Sequence, residues 1–192
     1  MRIVFCGVGA LGSTAVILCR NLAATLCLVD FDRVESKNVL AQAFVKQSIG
    51  KNKADALKLQ LQNFHGVKAE SFGVKLVAEN VEALCGSADL LVDCFDNLAS
   101  RQLLSAFARR AGKALVHGAL AGDGTFGVVR WDERFVPDAE DVEGQATCEG
   151  GEQLPLIGVM GGAIARCIQD FIKHGVKRDV MVSLNAVTPT AG

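Results

Sequence analysis

Only three of the 192 residues are proline, and the sequence contains neither an internal repeat nor a low-complexity tract. That scarcity argues against a disordered or linker-like chain and for a packed fold. Charge of one sign is lacking too: 20 Lys and Arg face 21 Asp and Glu, a formal net charge of −1, with no sustained basic stripe. Such a balance leaves no electrostatic footprint for nucleic acid or for an anionic membrane surface, so any partner must be recognised locally. No apolar stretch is read as approaching the roughly 20 residues of a membrane span. The apolar opening, Arg2 to Cys6, runs straight into a glycine turn without a cleavage-type region, and so reads as a strand rather than a signal peptide. None of the seven cysteines forms a C-x-x-C pair, and Cys6, Cys19, Cys27 and Cys94 lie in apolar runs. They are expected to be small core hydrophobes in a reducing compartment, which places the protein in the cytoplasm. No G-x-x-x-x-G-K-[ST] occurs, so a P-loop is excluded.

Half of the residues are hydrophobic and 20 are glycine, which suits a sheet buried on both faces and turned by glycines. The length fits one domain over residues 1–192. Ile3 to Cys6 predicts a strand ending at Gly7, and Ala10 to Ala24 a helix with Leu11, Ala15, Leu18 and Leu22 on one face. A second strand, Thr25 to Val29, completes a βαβ unit and makes the sheet parallel. Irregular chain to Ile49 precedes a helix bearing Ala54, Leu57, Leu61 and Phe64. A strand near Lys68 to Leu76, a short helix near Glu79 to Cys85 and a strand Asp89 to Phe95 follow. The next helix runs from about Leu98 to Ala111, with Asp96 or Asn97 as N-cap and Gly112 as its stop. After Ala114 to Val116 only a glycine-rich turn precedes Thr125 to Trp131, so the C-terminal half adds antiparallel strands. The fold class is therefore α/β: a Rossmann-like, mostly parallel sheet flanked by helices, with an antiparallel extension. A polar crossover, 132–154, with six acidic residues between Asp132 and Glu143, reads as functional or mobile. A helix near Pro155 to His174 and a strand near Val180 to Val187 close the pattern.

Gly7, Gly9 and Gly12 form a G-x-G-x-x-G between a strand and a helix, where backbone N–H groups and the helix dipole can meet phosphate. Asp30 ends the second strand, where a carboxylate can accept both ribose hydroxyls. These features describe a dinucleotide such as NAD as well as ATP, and an NAD-dependent oxidoreductase stays open on them. Asp32 reads equally as a loop-initiating carboxylate and as a ligand contact. His117, after an apolar run, reads as a structural histidine bonded to backbone, and His65 and His174 as helix C-terminal cations.

Downstream, the segments Asp30-Phe31-Asp32-Arg33-Val34, Asn38-Val39-Leu40-Ala41-Gln42 and Gly50-Lys51-Asn52-Lys53-Ala54 occur in order. Asp93-Cys94-Phe95-Asp96-Asn97 with Arg101, then Thr147-Cys148-Glu149, then Pro155 to Gly162, follow them. This succession resembles the ThiF/MoeB/HesA family over nearly the whole chain. The resemblance implies ATP-dependent adenylation of the C-terminal Gly carboxylate of a small ubiquitin-like or sulfur-carrier protein ending in Gly-Gly. It implies that Asp30 holds the ribose, that Asn38 and Lys53 approach the phosphates, and that Asp96 binds Mg²⁺. Arg101 would neutralise developing charge, and Cys148 would take part in thiol chemistry after adenylation. A homodimer is the implied assembly. Three departures qualify the match: Ala41 stands where the family has an arginine facing the triphosphate; no helix is expected ahead of the first strand; and without C-x-x-C pairs no structural zinc is expected. With the arginine missing, a nucleotide-binding assembly or sensing module of the same fold is the non-enzymatic alternative.

Overall fold

The computed structural model describes residues 1–136, 153–183 and 187–189. Strands β1 (Arg2–Cys6), β2 (Thr25–Val29), β3 (Ala69–Phe72), β4 (Leu90–Asp93), β5 (Ala114–Leu120), β6 (Phe126–Trp131), β7 (Val180–Ser183) and β8 (Val187–Pro189) build one sheet in the order β3-β2-β1-β4-β5-β6-β7-β8. The pairs from β3 to β5 are parallel, and those from β5 to β8 antiparallel. The mostly parallel sheet with an antiparallel extension is thus as expected. The chain winds to one side of β1 through β2 and β3 and to the other through β4. Between β1 and β4 lies the topological switch point at which this architecture leaves a crevice beyond the strand ends.

Alternation along the strands divides the core. Ile3, Phe5, Leu26 and Leu28 face α1 (Ala10–Leu18), α3 (Lys53–His65) and α6 (Leu154–His174). Val4, Cys6, Cys27 and Val29 face α4 (Val81–Cys85) and α5 (Leu98–Ala111). Cys6, Cys19, Cys27, Cys85 and Cys167 are buried, and burial pushes the Cys19 thiol up to about 12, as small core hydrophobes require. A β-carbon on Gly161 would lie 2.4 Å from Thr14 Cγ2, so the missing side chain lets α6 close on α1.

Several boundaries differ from the sequence reading. Helix α1 stops at Leu18 rather than Ala24: the Cys19 N–H is shared between the Ala15 and Val16 carbonyls, and Arg20 Nη1 donates to Ile17 O at 2.6 Å. Strand β3 ends at Phe72 because its partner β2 ends at Val29, the two being in register. The stretch taken as irregular to Ile49 contains α2 (Asn38–Ala41) and a 3₁₀ turn, Lys46–Ser48, and it is tied down by Val34 N–H to Lys51 O at 2.8 Å. The single strand expected over Val180 to Val187 is a pair, β7 and β8. The crossover is ordered at its start, where Asp132–Arg134 form a 3₁₀ turn, and α6 begins at Leu154; residues 137–152 lie outside those described. Helix α6 also corrects the expectation about apolar runs, since its 21 residues are long and apolar enough to cross a membrane. Leu156, Ile157, Met160, Ile164 and Ile168 are instead buried on one side of it against the sheet, the pattern of a core helix.

Candidate functional site

The site is built at the C-terminal ends of β1, β2 and β4. Gly7 adopts φ +84°, and a β-carbon there would lie 2.9 Å from the Cys94 carbonyl, so only glycine lets this turn pass under the chain leaving β4. At Gly12 a β-carbon would fall 2.0 Å from Gly7 O, which is why the helix can start so close to the turn. Gly9 is different, because among the described residues nothing lies within 4 Å of its added β-carbon. None of their atoms demands a glycine there, and among them the bare backbone leaves open a cradle over the start of α1. Gly9 is the N-cap of α1 and offers no capping side chain, so the first-turn N–H groups face that cradle with the positive end of the helix dipole behind them.

Asp30 fixes the cradle from β2. Its Oδ2 accepts the Val8 N–H at 2.8 Å and its Oδ1 the Asp32 N–H at 2.9 Å. Each oxygen keeps a second lone pair for a hydroxyl. Burial raises the Asp30 carboxyl above its ordinary range, against the opposing pull of those two N–H groups and of Lys53. Lys53 is not a solvated helix lysine: its side chain is 10% exposed, and Nζ meets Asp32 Oδ2 at 2.9 Å. Asp32, half exposed, is therefore a lysine partner rather than only the start of a loop. Asn52, which the sequence reading did not single out, holds the arrangement. Its Nδ2 donates to the carbonyls of Asp30 and Asp32 at 2.8 and 3.1 Å while its Oδ1 caps α3 through the Asp55 N–H.

The remaining expected residues divide. Asn38 is buried, and its Oδ1 accepts the Glu35 N–H at 2.8 Å, so its oxygen serves the loop. Ala41 is 1% exposed, packed inward rather than facing open space. The helix cap of α5 is Asn97, accepting the Ser100 N–H at 2.9 Å, and not Asp96. Asp96 is exposed just past β4, and among the described residues its carboxylate has a long contact, at 3.5 Å, with Asn97 Nδ2. Among the described residues no three His, Cys, Asp or Glu side chains gather as a metal centre, so a cation here would rest on one carboxylate with water and phosphate, in the manner of Mg²⁺. Cys148 lies outside the described residues.

Arg101 corrects the reading of a guanidinium on an exposed helix face. It points inward, with Nη1 on Asp93 Oδ2 at 3.1 Å and Nη2 on the carbonyls of Phe95 and Gly118. His117 is likewise not bonded to backbone. It is fully buried between two carboxylates, with Nδ1 2.7 Å from Asp93 Oδ2 and Nε2 3.1 Å from Asp132 Oδ1. Asp132 also accepts Ser105 Oγ and, at 2.6 Å, Arg109 Nε. Phe135 covers the imidazole, stacked at 4.0 Å. Burial works against a charged ring here, yet the hydrogen bonds from Asp132 and Asp93 outweigh it and raise the His117 pKa. For Asp132 burial is likewise overcome, by His117, Arg109 and Ser105, and its carboxyl is held well below the usual range. Sequence reasoning missed this network, although Arg101, Ser105 and Arg109 recur every fourth residue, the spacing of one helix face.

A glycine turn closed on a helix start, a carboxylate at the end of the second strand and a crevice at the switch point define a Rossmann-like α/β domain. The chain belongs to the ThiF family, whose pattern matches residues 1–185. It is 29% identical over 175 residues to an adenylyltransferase and sulfurtransferase UBA4 of Lodderomyces elongisporus, covering 85% of this chain and 38% of that protein. It is 30% identical over 167 residues to an adenylyltransferase and sulfurtransferase MOCS3 of Caenorhabditis briggsae, covering 81% and 41%. The chain thus spans about two fifths of these relatives' length. Among solved structures, MccB of E. coli in its crystal with ATP superposes with a TM-score of 0.77 at 16% identity, covering 98% of this chain and 63% of that one. This likeness supports the fold.

Proposed function

We propose that the domain adenylates the C-terminal glycine carboxylate of a small ubiquitin-like or sulfur-carrier protein, with ATP and Mg²⁺. The observation that carries this reading is the open cradle at Gly9 between the Asp30 clamp and the two rim groups, Lys53 and Asp96. Family membership, and relatives bearing the names of carrier adenylyltransferases, support it.

The residues fit a nucleoside triphosphate. Asp30 would take the ribose hydroxyls, and the N–H groups opening α1 the phosphates. Lys53 is held by an ion pair whose Asp32 half is exposed, so a phosphate arriving from that side would share the ammonium with Asp32. Asp96, exposed and close to the glycine turn, would hold Mg²⁺, which supplies charge neutralisation at the phosphates. The carrier's carboxylate oxygen would attack the α-phosphorus as the bond to pyrophosphate breaks, bringing anion to anion. Lys53 and the oriented N–H groups lower that barrier. The Cys148 thiolate would then attack the carbonyl of the acyl-adenylate, forming a thioester with the carrier as AMP leaves.

Carrier-dependent exchange of labelled pyrophosphate into ATP tests the proposal, with calorimetric titration of ATP against NAD beside it. Exchange with a carrier ending in Gly-Gly is the expected result. NAD uptake without ATP uptake would overturn it. The alanine at position 41, where the family carries an arginine, favours a second reading, in which nucleotide is bound without turnover; ATP uptake with no exchange identifies it.

A further inference from the structure

The buried network ends on the peptide that precedes Asp96. Asp93 and His117 are register partners on β4 and β5, which brings the imidazole onto the carboxylate across one strand spacing. From there two bonds grip the Phe95 backbone, one at the peptide before it and one at the peptide that precedes Asp96. Asp93 Oδ1 accepts its N–H at 2.9 Å, and Arg101, itself bonded to Asp93, donates to its carbonyl. The same loop touches the glycine turn, through Cys94 N–H to Cys6 O at 2.9 Å and through the close approach of Gly7 to the Cys94 carbonyl.

His117 has both ring nitrogens on carboxylate oxygens. A neutral imidazole carries one N–H and would set its other lone pair against an anion, whereas an imidazolium donates to both. We propose that His117 is a positioning residue: as an imidazolium joining Asp93 to Asp132, it locks the Phe95 peptide and so sets where the Asp96 carboxylate stands relative to the nucleotide cradle. The charged and titratable groups around the ring are Asp93 from β4, Asp132 from the 3₁₀ turn, Arg101 and Arg109 from α5, and Arg130, its register partner on β6. Phe135 seals the ring from water. Losing the ring proton leaves one carboxylate facing a lone pair, and the strain passes along Asp93 to the loop. The coupling rests on these hydrogen bonds; what Asp96 does at the end of it rests on the adenylation reading.

The two parts are tested separately on the full chain. First, nitrogen NMR follows the His117 ring and the Phe95 and Asp96 amides from about pH 5.5 to 9. The expected result is one shared transition above the ordinary histidine value of about 6.5. Amides that ignore the His117 transition, or a ring already neutral at about pH 6, overturn the coupling. Second, ATP is titrated with and without Mg²⁺ into the native chain, His117→Gln and Asp96→Asn. Asp96→Asn should erase the gain in affinity that Mg²⁺ brings, and His117→Gln should cut it about tenfold or more while ATP affinity in EDTA stays within about twofold. A part that only supports the fold would lower both affinities together, and that outcome refutes positioning. If His117→Gln melts at the assay temperature, the Mg²⁺-dependent gain of the native chain is measured from about pH 7.5 to 9 and should fall through the NMR transition. A native chain that takes up no ATP defeats the adenylation reading, and the amides still decide the coupling.

Discussion

Two glycines of the same turn should respond in opposite ways to one added methyl group. At Gly12 the β-carbon of alanine would sit 2.0 Å from the Gly7 carbonyl oxygen, more than an ångström inside van der Waals contact. The obstacle is backbone, so α1 or the turn must move as a body. Overpacking of this kind costs about 1–3 kcal/mol, and on a domain of this size each kcal/mol lowers Tm by about 2–4 °C. Gly12→Ala should therefore melt about 5–10 °C lower, whether or not nucleotide is present. At Gly9 the methyl group meets no atom of the described residues within 4 Å. Its φ of −70° suits alanine, while ψ of −142° lies somewhat beyond the β basin and costs about 1 kcal/mol. Gly9→Ala should fold and melt within about 4 °C of the native chain, yet it places a methyl group where phosphate is expected to approach the N–H groups of α1. ATP affinity should fall at least tenfold, about 1.4 kcal/mol. Circular dichroism melts and calorimetric titration give both numbers. A Gly9→Ala protein that binds ATP as the native chain does would show that the phosphates lie elsewhere.

Asp96→Ala should leave Tm within about 2 °C, since the side chain is exposed and caps nothing, while removing the Mg²⁺-dependent part of ATP binding; unchanged metal dependence would refute the assignment. Ala41→Arg carries a guanidinium to a position 1% exposed, so it should cost on the order of 2–4 kcal/mol and melt about 5–15 °C lower rather than restore a phosphate contact; faster pyrophosphate exchange at native stability would show that the side chain escapes to the nucleotide. The network gives stability two opposite pH dependences. Asp132, whose carboxyl is depressed, contributes stability that is complete above its unfolded value near 4 and lost as pH falls through the folded value; His117, whose pKa is raised, contributes below about 6.5 and loses it as pH rises through the raised value. Urea unfolding from about pH 5.5 to 9, followed at the buried Trp131, should show the native chain losing its advantage over His117→Gln with rising pH, and a constant difference would contradict the charged bridge.

Much of the fold was legible because helix and strand periods are local properties. The βαβ opening, the helix from Leu98 to Ala111 and the antiparallel extension all follow from apolar spacing and glycine stops within a few residues of one another. What escaped was set from a distance. Whether Gly73 to Leu76 extend a strand is decided by where β2 ends, and Val180 to Val187 reads as one strand until its halves pair with each other. At the end of α1 the Cys19 N–H is shared between the Ala15 and Val16 carbonyls and the Arg20 guanidinium reaches the Ile17 carbonyl, features that helix propensity alone does not contain.

The site divides along the same line. Gly7, Gly9, Gly12 and Asp30 could be placed at the end of a strand or the start of a helix from the sequence alone, whereas Lys53 stood out only through the resemblance of Gly50 to Ala54 to the family. The partner of Lys53 is Asp32, 21 positions away, and it becomes visible only when Asn52 pins the carbonyls of Asp30 and Asp32 to the start of α3. The buried network lies a level further off. Asp93 and His117 meet because β4 and β5 pair in that register, and a slip of one residue would turn the imidazole to the opposite face. Asp132 reaches the ring only because the chain turns there into a 3₁₀ segment. The same distance gives the network its reach, since three elements separated in sequence are joined through one ring. A change at Asp132, 36 residues from Asp96, has a route of hydrogen bonds through His117, Asp93 and Arg101 to the peptide that precedes Asp96.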